Sequence, residues 1–350
     1  TIVRLAAGRT YVKRKIIALN RPGVRLEGYG ATIRASTTDD EVARGNGSSP
    51  LAIRLNASDT SLVGVRIESN LRRRLNGHSN DAAVFVGGQR QQVVDVQIAY
   101  TSVGIYVVKA TDFVIARNLV YRTLADGIHV SGGSYGGMIV CNVVRQTGDD
   151  MIAVVDYGRG NPRSGGVLVG RNDVAEQFWG RGIAGVGGRD VTIRGNKIAA
   201  TTHGAGILIA SESNYGTANV ENILVERNEI RDVQVGDAPY NPINARRRSG
   251  HAAILLVPDA GHSIRRVVVK DNSIDNSRFG GVRVRGDSCD VAVVGNLLSR
   301  VASSPIDVDV GGRSECTVAC ESNITDGSTV LAPRCPKGTV DVRGAGLRGR

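Results

Sequence analysis

The sequence is poor in aromatic residues, in proline and in long apolar runs. Phe, Trp and Tyr make up 4% of the 350 residues, and there are 9 Pro against 45 Gly. No uninterrupted apolar stretch approaches the ~20 residues that a membrane-spanning helix needs, so we expect no membrane partner. Few aromatic side chains are available to stack on bases and no recognition-helix motif is present, so nucleic acid is not an expected partner either.

What remains is a glycine-rich, aliphatic chain with an excess of basic residues. Its apolar residues are mostly Val, Ile, Leu and Ala, and no segment has a long helical period. Both features indicate β-structure with tight turns and a narrow aliphatic core. Lys and Arg exceed Asp and Glu by 44 − 33 = 11. Such a charge attracts anionic polymers of any kind, without choosing among them.

A degenerate repeat organises most of the chain. Its pattern is V-x-[IV]-x-x-N-x-[IV] followed by a G-I-x-V strand, as in VIARNLVYRTLADGIHV and VTIRGNKIAATTHGAGILI. Short strands with inward-facing Val and Ile predict an all-β fold, a single-stranded right-handed parallel β-helix with coils of ~24 residues. We expect the repeated asparagines to occupy a left-handed bend and to stack their amides from coil to coil. They are Asn118, Asn142, Asn172, Asn196, Asn228, Asn272 and Asn296.

We predict one domain over residues 1–350, with opening coils in 1–50, regular coils in 51–310 and an irregular C-terminal cap in 311–350. The chain begins in a strand-like run, TIVRLAAGRTYV, and we expect upstream residues to have been removed. Cys141 lies inside a repeat and is predicted to be a buried thiol. The cap holds a cluster of Cys316, Cys320 and Cys335, where one disulfide, of open pairing, would favour an oxidising compartment. We therefore expect a secreted, periplasmic or extracellular protein.

Four insertions lengthen the repeat. They are 70–80 (NLRRRLNGHSN), 156–165 (DYGRGNPRSG), 211–218 (SESNYGTA) and 235–250 (VGDAPYNPINARRRSG). A solenoid accepts loops at its turns without disturbing its core, so insertions that recur near one turn would build the walls of a groove. A groove along the helix axis suits a chain-like ligand.

Acidic residues recur at one point of consecutive coils. Aligning the G-I-x-V strands puts Ile128, Ile152, Ile183, Ile207, Ile254 and Val282 in one column. Asp126, Asp150 and Arg181 stand two residues before that column, and Asp149 precedes Asp150. Adjacent strands are ~4.8 Å apart, so the carboxylates crowd together, and one of them should hold a proton while the others stay ionised. A proton donor beside a base is what cleavage of a glycosidic bond requires.

These motifs also resemble a known family. ADGIHV followed by TGDDMIAV is similar to the NTDGI…GDDCIAI pair of polygalacturonases and related β-helical glycosidases, a superfamily with dextranase-like and α-1,3-glucanase-like members. The resemblance covers residues 118 to about 198 in motif detail and suggests a divergent member. It implies that Asp126, Asp149 and Asp150 are catalytic, that one of the Asp149–Asp150 pair is the general acid while the other two aspartates position water, and that inversion is usual.

The same resemblance implies substrate-binding residues. Arg181, in WGRGIAGV, stands where polygalacturonases have the histidine of GHGISIG, and FGGVRVRG is similar to their G-x-RIK strand, which implies Arg283 and Arg285. The residues themselves add further candidates for lining the groove, namely His203, His251, Tyr157 and Trp179, with Tyr215 and Tyr240 in the wall loops. The basic runs Arg72–Arg74 and Arg246–Arg248 also lie in these loops, either as solvated charge or as a clamp for an acidic polymer.

The sequence therefore predicts a secreted glycoside hydrolase that acts on a polysaccharide, with an acidic polymer as a candidate, and without a cofactor. One alternative is a polysaccharide lyase or uronate C5-epimerase on the same fold, with an Arg or Lys base and Ca²⁺ to neutralise the uronate. Another is a non-catalytic carbohydrate-binding or adhesin β-helix. The carboxylates themselves could instead cap turns or bind Ca²⁺. Sugar identity, stereochemistry, endo or exo mode and oligomeric state stay open.

Overall fold

The computed structural model describes residues 1–13, 15–35, 53–69, 71, 82–158, 163–241, 247–310, 316–326, 328 and 329. Within them the chain coils as a right-handed parallel β-helix, which confirms the predicted fold class. Its strands form three long sheets of 12, 13 and 11 strands in the described part of the chain. No helix among the described residues is long and apolar enough to cross a membrane.

The strands are short, and a single 3-10 turn interrupts them in the described chain. The first eighteen are β1 (Ile2–Arg4), β2 (Thr10–Lys13), β3 (Ile17–Leu19), β4 (Arg25–Glu27), β5 (Thr32–Ala35), β6 (Ile53–Leu55), β7 (Ser61–Val63), β8 (Arg66–Glu68), β9 (Ala82–Val86), β10 (Gln92–Val94), β11 (Gln97–Ala99), β12 (Val103–Val108), β13 (Val114–Ala116), β14 (Leu119–Tyr121), β15 (Ile128–Ser131), β16 (Met138–Val140), β17 (Val143–Arg145) and β18 (Ile152–Val155). The rest are β19 (Leu168–Gly170), β20 (Asp173–Ala175), β21 (Ile183–Val186), β22 (Arg189–Arg194), β23 (Lys197–Ala199), β24 (Ile207–Ser211), the 3-10 turn η1 (Ser213–Tyr215), β25 (Val220–Glu226), β26 (Glu229–Val233), β27 (Ile254–Pro258), β28 (Ile264–Lys270), β29 (Ser273–Ser277), β30 (Val282–Arg285), β31 (Ser288–Val294), β32 (Leu297–Val301), β33 (Ile306–Asp309), β34 (Val318–Glu321), β35 (Ile324–Thr325) and β36 (Ser328–Thr329).

Each coil contributes one strand to each sheet. The first sheet runs β1-β4-β7-β10-β13-β16-β19-β22-β25-β28-β31-β34, the second β2-β5-β8-β11-β14-β17-β20-β23-β26-β29-β32-β35-β36, and the third β3-β6-β9-β12-β15-β18-β21-β24-β27-β30-β33. The strands β1 to β5 lie in the segment predicted to hold opening coils, and β34 continues the first sheet within the segment predicted to be a cap.

The core is the aliphatic filling of the coil. In the third sheet, Ile128 pairs with Ile152, Ile152 with Ile183, Ile183 with Ile207, Ile207 with Ile254 and Ile254 with Val282. All six side chains are fully buried. This is the column expected from the sequence. Because side chains alternate along a strand, the residue that follows each of them lies on the outer face of the sheet.

A ladder of asparagine side chains runs beside the core. The side-chain amide nitrogen of Asn172 donates to the side-chain oxygen of Asn196 at 3.0 Å, and Asn196 donates in turn to Asn228 at 2.9 Å. The ladder extends from Asn118 to Asn323 and confirms the predicted stacking. The expected left-handed bend is displaced by one residue. It falls on the residue before each asparagine, as at Arg171 (φ 55°) and Arg227 (φ 53°).

Asn196→Ala is expected to lower the free energy of unfolding by about 2–4 kcal/mol, since it leaves several buried polar groups without partners. Asn196 accepts from the backbone nitrogen of Asn172 and donates to the carbonyl of Val169, besides its two amide contacts. Urea unfolding followed by circular dichroism measures the loss. Asn214→Ala, at an exposed position, is the control and should change stability by less than about 0.5 kcal/mol. Equal effects of the two substitutions would contradict a supporting role for the ladder.

The insertions border the outer face of the third sheet on two sides. Segments 156–165 and 211–218 follow β18 and β24, at the turn from the third sheet to the first. Segments 70–80 and 235–250 lie instead between the second sheet and the third. The expectation of a single recurrent turn is therefore wrong. Two turns carry the insertions, and the third sheet lies between them as the floor of a groove. Residues 70, 72–81, 159–162 and 242–246 of these loops lie outside the described residues.

The cysteines differ in part from expectation. Cys289 and Cys316 form a disulfide, so the bond joins the cap to a regular coil. Cys141 is an exposed free thiol in a left-handed turn (φ 58°), so its prediction as a buried strand residue is wrong. It directly precedes Asn142 and so occupies the left-handed position that comes before each asparagine of the ladder. Cys320 is buried in β34, and Cys335 lies outside the described residues.

Candidate active site

The three aspartates meet at the edge of the groove floor, where the second sheet passes into the third. Asp126 precedes β15, and Asp149 and Asp150 precede β18 on the next coil. One carboxylate oxygen from each aspartate lies within 4.8 Å of the others. The repeat register thus brings together the three residues that the sequence predicted to be neighbours.

Two of the aspartates also tie consecutive coils together. The backbone nitrogen of Asp150 donates to Oδ1 of Asp126 at 3.0 Å, and the backbone nitrogen of Arg181 donates to Oδ1 of Asp150 at 2.8 Å. Turn capping, the structural alternative considered from the sequence, is therefore part of their role. It engages one oxygen of each carboxylate. It does not explain Asp149, which is partly exposed and lines the cavity described below.

Asp150 is the most deeply buried of the three, with 5% of its surface exposed. Burial raises the pKa of Asp150 well above the usual value of a carboxyl, the Arg181 guanidinium opposes this, and the Asp149 and Asp126 charges raise it further. Arg181 Nε lies 3.0 Å from Oδ1 of Asp150. Burial alone would lower the pKa of Arg181, but the Asp150 and Glu212 charges reverse the effect and raise it. The site thus pairs a carboxyl that tends to keep its proton with a permanently charged arginine.

Gly180 permits the close approach of coils at this point. A Cβ at Gly180 would lie 2.5 Å from the backbone nitrogen of Asp150 and 2.5 Å from Oδ1 of Asp149. Both distances are far below a van der Waals contact, and the Asp150 nitrogen belongs to the backbone, so a Cβ here would force the Asp149–Asp150 peptide to shift. The sequence WGRG therefore has glycine where the Asp149–Asp150 peptide needs the room.

Gly180→Ala is expected to displace Asp149 and Asp150 and to lower kcat by about 10²-fold, because a misplacement of about 1 Å in a catalytic group has that effect. The change is made far from the inner core, so the far-ultraviolet circular dichroism spectrum should be retained. Gly236→Ala serves as control, since a Cβ there meets nothing within 4 Å. A Gly180→Ala protein with unchanged kcat would show that the pair tolerates displacement.

His129 is a site residue that sequence reasoning did not single out. It lies on the outer face of β15, and its Nδ1 is 2.6 Å from Oδ2 of Asp126. Its ring centroid is 5.1 Å from that of Tyr106 and 6.2 Å from that of Tyr157, with the Tyr157 ring nearly parallel. His129 Nε2 is buried and has no hydrogen-bond partner within the described chain. Burial, followed by the Asp126 charge, raises the pKa of Tyr157, so its hydroxyl stays protonated.

Glu212 is the second residue that the sequence did not reveal. It follows β24 in an inserted loop, and its Oε1 lies 3.4 Å from a terminal nitrogen of the Arg181 guanidinium. Burial raises the pKa of Glu212, and the Arg181 charge opposes that shift. The signal was present in the insertion 211–218, but a repeat period does not specify where a loop side chain points. His129 had the stronger signal, because it stands inside the quoted motif ADGIHV.

The remaining candidates from the sequence lie around this cluster at different distances. Tyr157 and Trp179 line the cavity, and the Trp179 ring stacks on His203 with centroids 4.2 Å apart. Burial lowers the pKa of His203. Burial, together with the Arg181, His203 and Arg283 charges, lowers the pKa of His251 to about 4, so both rings are neutral near pH 7. His203 and His251 border the site without lining its cavity.

Arg283 and Arg285 do not reach the carboxylates. Arg283 shares the outer column of the third sheet with His129, five strands further along, at about 4.8 Å per strand. Both arginines form ion pairs with Asp307. The structure therefore does not bring these arginines to the aspartates, and their contact with substrate stays a prediction.

The wall loops hold the other predicted residues. Tyr215 lines the cavity and is largely exposed, whereas Tyr240 packs against Phe178. Arg248 is bound to its own loop through Gln234, Gly236 and Asp237, so it is not a free clamp. Arg72–Arg74 and Arg246 lie outside the described residues.

These groups enclose a cavity of about 190 Å³ in the groove floor. Among the described residues, four carboxyl groups line it, from Asp126, Asp149, Asp150 and Glu212, and Arg181 is the one permanent cation. The carboxylate oxygens are close enough together to bind a cation in principle. Arg181 already lies against Asp150, however, and its positive charge works against a metal ion at the same oxygens.

Comparison with known proteins identifies the family to which the fold belongs. Residues 82–298, more than half of the chain, match the family model described as the right-handed β-helix region. No curated protein sequence matches the chain significantly. The catalytic unit of a thermostable GH87 α-1,3-glucanase from Streptomyces thermodiastaticus superposes with a TM-score of 0.66 at 17% identity, covering 93% of this chain and 63% of that one.

Two other solved structures extend this comparison. A GH87 α-1,3-glucanase catalytic domain in complex with tetrasaccharides gives a TM-score of 0.65 at 17% identity, covering 91% of this chain and 63% of the other. The A-module of a mannuronan C-5 epimerase from Azotobacter vinelandii gives 0.58 at 12% identity, with 91% of each chain covered. The chain thus spans less than two thirds of the glucanase structures. At these identities the likeness is one of fold.

Proposed function

The chain belongs to the right-handed β-helix family, and on this fold we propose that it is a glycoside hydrolase that cleaves a neutral polysaccharide. The observation that carries the proposal is the set of three carboxyls within 4.8 Å, one of them buried with a raised pKa, in a cavity on the groove floor. Two groups of the same chemical type whose environments push their pKa values apart can serve as acid and base in one reaction.

The roles follow from the contacts of each carboxyl. Asp150, whose pKa burial raises, donates its proton to the glycosidic oxygen as the bond to the anomeric carbon breaks. Asp126 takes a proton from the attacking water. The 2.6 Å contact between His129 Nδ1 and Asp126 Oδ2 holds the Asp126 carboxylate in position. Asp149, partly exposed beside them, orients that water. Arg181 compensates the negative charge of the cluster.

The neighbouring glucanases support both the residues and the substrate class. Among the solved GH87 α-1,3-glucanase domains are aspartate-to-alanine variants at three positions, which are spaced by 23 residues and by one residue. Asp126, Asp149 and Asp150 have the same spacing, 149 − 126 = 23 and 150 − 149 = 1. Those domains are described in complex with nigerose and with tetrasaccharides. An α-1,3-glucan is therefore the first substrate to test.

The charge of the cavity favours a neutral sugar at the cleavage point. Of the described residues there, four carboxyl groups face one guanidinium, and a uronate would add a further negative charge a few ångströms away. The net charge of +11 lies elsewhere on the molecule, so it does not argue for an acidic substrate at this site. We propose that no metal takes part, because the Arg181 guanidinium already supplies a positive charge beside the carboxyl cluster.

The test is a panel of neutral and acidic polysaccharides with measurement of new reducing ends. We expect release from a neutral glucan and little or none from polyuronates. Treatment with EDTA should leave the rate unchanged. Release of reducing ends from polyuronates alone would contradict the neutral substrate.

One observation favours a second candidate, a uronate lyase or C5-epimerase. His129, whose Nε2 has no hydrogen-bond partner among the described residues, stands between two tyrosines, an arrangement that places a base beside two hydroxyl proton donors. The fold is also similar to that of the mannuronan C-5 epimerase module. A lyase would release an unsaturated product that absorbs in the near ultraviolet, and an epimerase would exchange a sugar C5 hydrogen with solvent. Either signal from a polyuronate would favour this candidate over hydrolysis.

We further propose that the protein works outside the cytoplasm. A disulfide between Cys289 and Cys316 is typical of oxidising compartments, and a polysaccharide too large to enter a cell must be cleaved outside it. Labelling of free thiols in protein isolated from its native source tests this proposal, because Cys289 and Cys316 should not react while their disulfide is intact.

A further inference from the structure

Among the described residues, the outer face of the third sheet differs on the two sides of the carboxylates. Partly exposed aromatic side chains lie on one side, and an ion pair and covered apolar side chains lie on the other. We infer that the protein acts from one end of its polysaccharide, with the chain laid along Phe85 and Tyr106 and its terminal sugar in the cavity before the Arg181–Glu212 ion pair. The inference rests on the proposed function, because it concerns how the substrate of that site is held.

The ion pair crosses the groove. Arg181 precedes β21 and Glu212 follows β24, so the two residues start from opposite edges of the third sheet. Their side chains meet over the floor, 3.4 Å apart. The stem of Arg181 lies against Gly204, where a Cβ would be 3.0 Å from Cγ of the arginine. Contact with Asp150 holds the guanidinium from the other side. The pair therefore forms a barrier next to the proton donor.

The floor beyond this barrier is already covered. Leu208, Ala210 and Leu255 lie on the outer face of the third sheet, yet they are 2%, 1% and 5% exposed. They belong to an apolar cluster separate from the main core, which also includes Ala184 and Val186. Outer side chains of the cavity strands, such as Val155 and Val186, are similarly buried. A sugar chain that continued in this direction would therefore have to pass over the Arg181–Glu212 pair and over the groups that cover the floor behind it.

The opposite direction offers a partly exposed aromatic track. Arg54, Phe85, Tyr106 and His129 succeed one another in the same outer column of the sheet. The Arg54 guanidinium lies 5.2 Å from the Phe85 ring centroid, and the Phe85 and Tyr106 centroids are 6.0 Å apart. The first three residues are only half-buried. In a chain with 4% aromatic residues, such a row leading to the carboxylates is a surface for stacking sugar rings.

The size of the cavity fits a chain end. Its volume of about 190 Å³ is below the roughly 300–1,000 Å³ of ordinary ligand pockets. A space of this size suits a terminal sugar unit better than several consecutive units. Cleavage between this cavity and the aromatic track would release one small product at each turnover.

The decisive experiment follows the products and the viscosity of a soluble neutral glucan during hydrolysis by the full chain. We expect one small product from the first time points, with viscosity falling slowly relative to the gain in reducing ends. Substrates blocked at the end that enters the cavity should resist cleavage, and blocking each end separately identifies which one it is. Rapid loss of viscosity with products of many sizes would overturn the inference and leave the proposed function standing. No hydrolysis of any polysaccharide would overturn both.

Two variants test the track and the barrier separately. Phe85→Ala should lower kcat/KM for long oligosaccharides about tenfold, as expected for loss of one aromatic contact, and should spare the shortest cleaved substrate. Tyr121→Ala, on the second sheet, is the matched control and should change neither value. Glu212→Ala should add longer products, whereas Glu212→Gln should retain the wild-type pattern. An unchanged product pattern in Glu212→Ala, or equal effects of Phe85→Ala on short and long substrates, would contradict the inference.

Discussion

Asp150→Asn is expected to lower kcat by about 10²–10⁴-fold, the range that general acid catalysis supplies. Asparagine keeps the shape of the side chain and can still accept from the backbone nitrogen of Arg181, so the coil should remain folded. It cannot give a proton to the leaving oxygen. The measurement is initial rate on the cleaved glucan, beside circular dichroism and thermal unfolding of the same preparations.

The pH profile adds a second readout for Asp150. The wild type needs the protonated carboxyl, and burial raises its pKa, so the protonated form persists to higher pH than in an ordinary aspartate. Activity should therefore fall on the alkaline side, as pH rises through this raised pKa. The residual activity of Asp150→Asn should lack that alkaline fall. If the residual activity of Asp150→Asn still fell on the alkaline side, the titration behind that fall would belong to another group.

Asp149→Asn is the matched comparison, since the motif alone leaves either member of the pair as the acid. A substrate with a leaving group that needs no protonation should restore the rate of whichever variant lacks the proton donor. We expect restoration for Asp150→Asn and not for Asp149→Asn. The reverse result would move the acid role to Asp149. If neither variant altered any interaction with sugars, the non-catalytic alternative would hold.

The repeat explains how much of the fold was predictable. A coil period of about 24 residues fixes which side chains are neighbours, because parallel strands in register put equivalent positions side by side. The column from Ile128 to Val282, and with it the meeting of Asp126, Asp149 and Asp150, follows from that rule alone. The asparagine ladder follows in the same way. The left-handed residue was misplaced by one position, because the repeat marks the asparagine more clearly than its variable predecessor.

What the period does not specify is the path of inserted loops and the direction of outward side chains. Glu212 comes from an insertion, and its contact with Arg181 depends on how that loop folds back over the sheet. His129 has a regular position, but its environment is made by Tyr106 on the preceding coil and Tyr157 in a loop. Arg283 and Arg285 illustrate a different limit, that of motif matching. Their motif matched a family pattern, yet the number of intervening coils decides the distance.

The second large effect concerns Asp126 and the histidine that holds it. Asp126→Asn should lower kcat by about 10²–10⁴-fold, since an amide cannot take the proton of the attacking water. His129→Gln should lower kcat about 10–100-fold, because it removes a hydrogen bond to a charged group, worth about 1.5–3 kcal/mol. If His129 acts through Asp126, the double variant should be hardly worse than Asp126→Asn alone, since coupled residues are not additive.

The division of the His129 effect between kcat and KM separates two physical roles. A histidine that positions Asp126 changes kcat, because the contact matters when the carboxylate accepts a proton. A histidine that binds a sugar hydroxyl through its unpartnered Nε2 changes KM instead. We expect the change in kcat, since the 2.6 Å contact already orients the ring towards Asp126. His262→Gln, at a histidine that does not line the cavity, controls for general effects of losing a histidine. An increase in KM alone would make His129 a substrate-binding residue and leave Asp126 to activate water unaided.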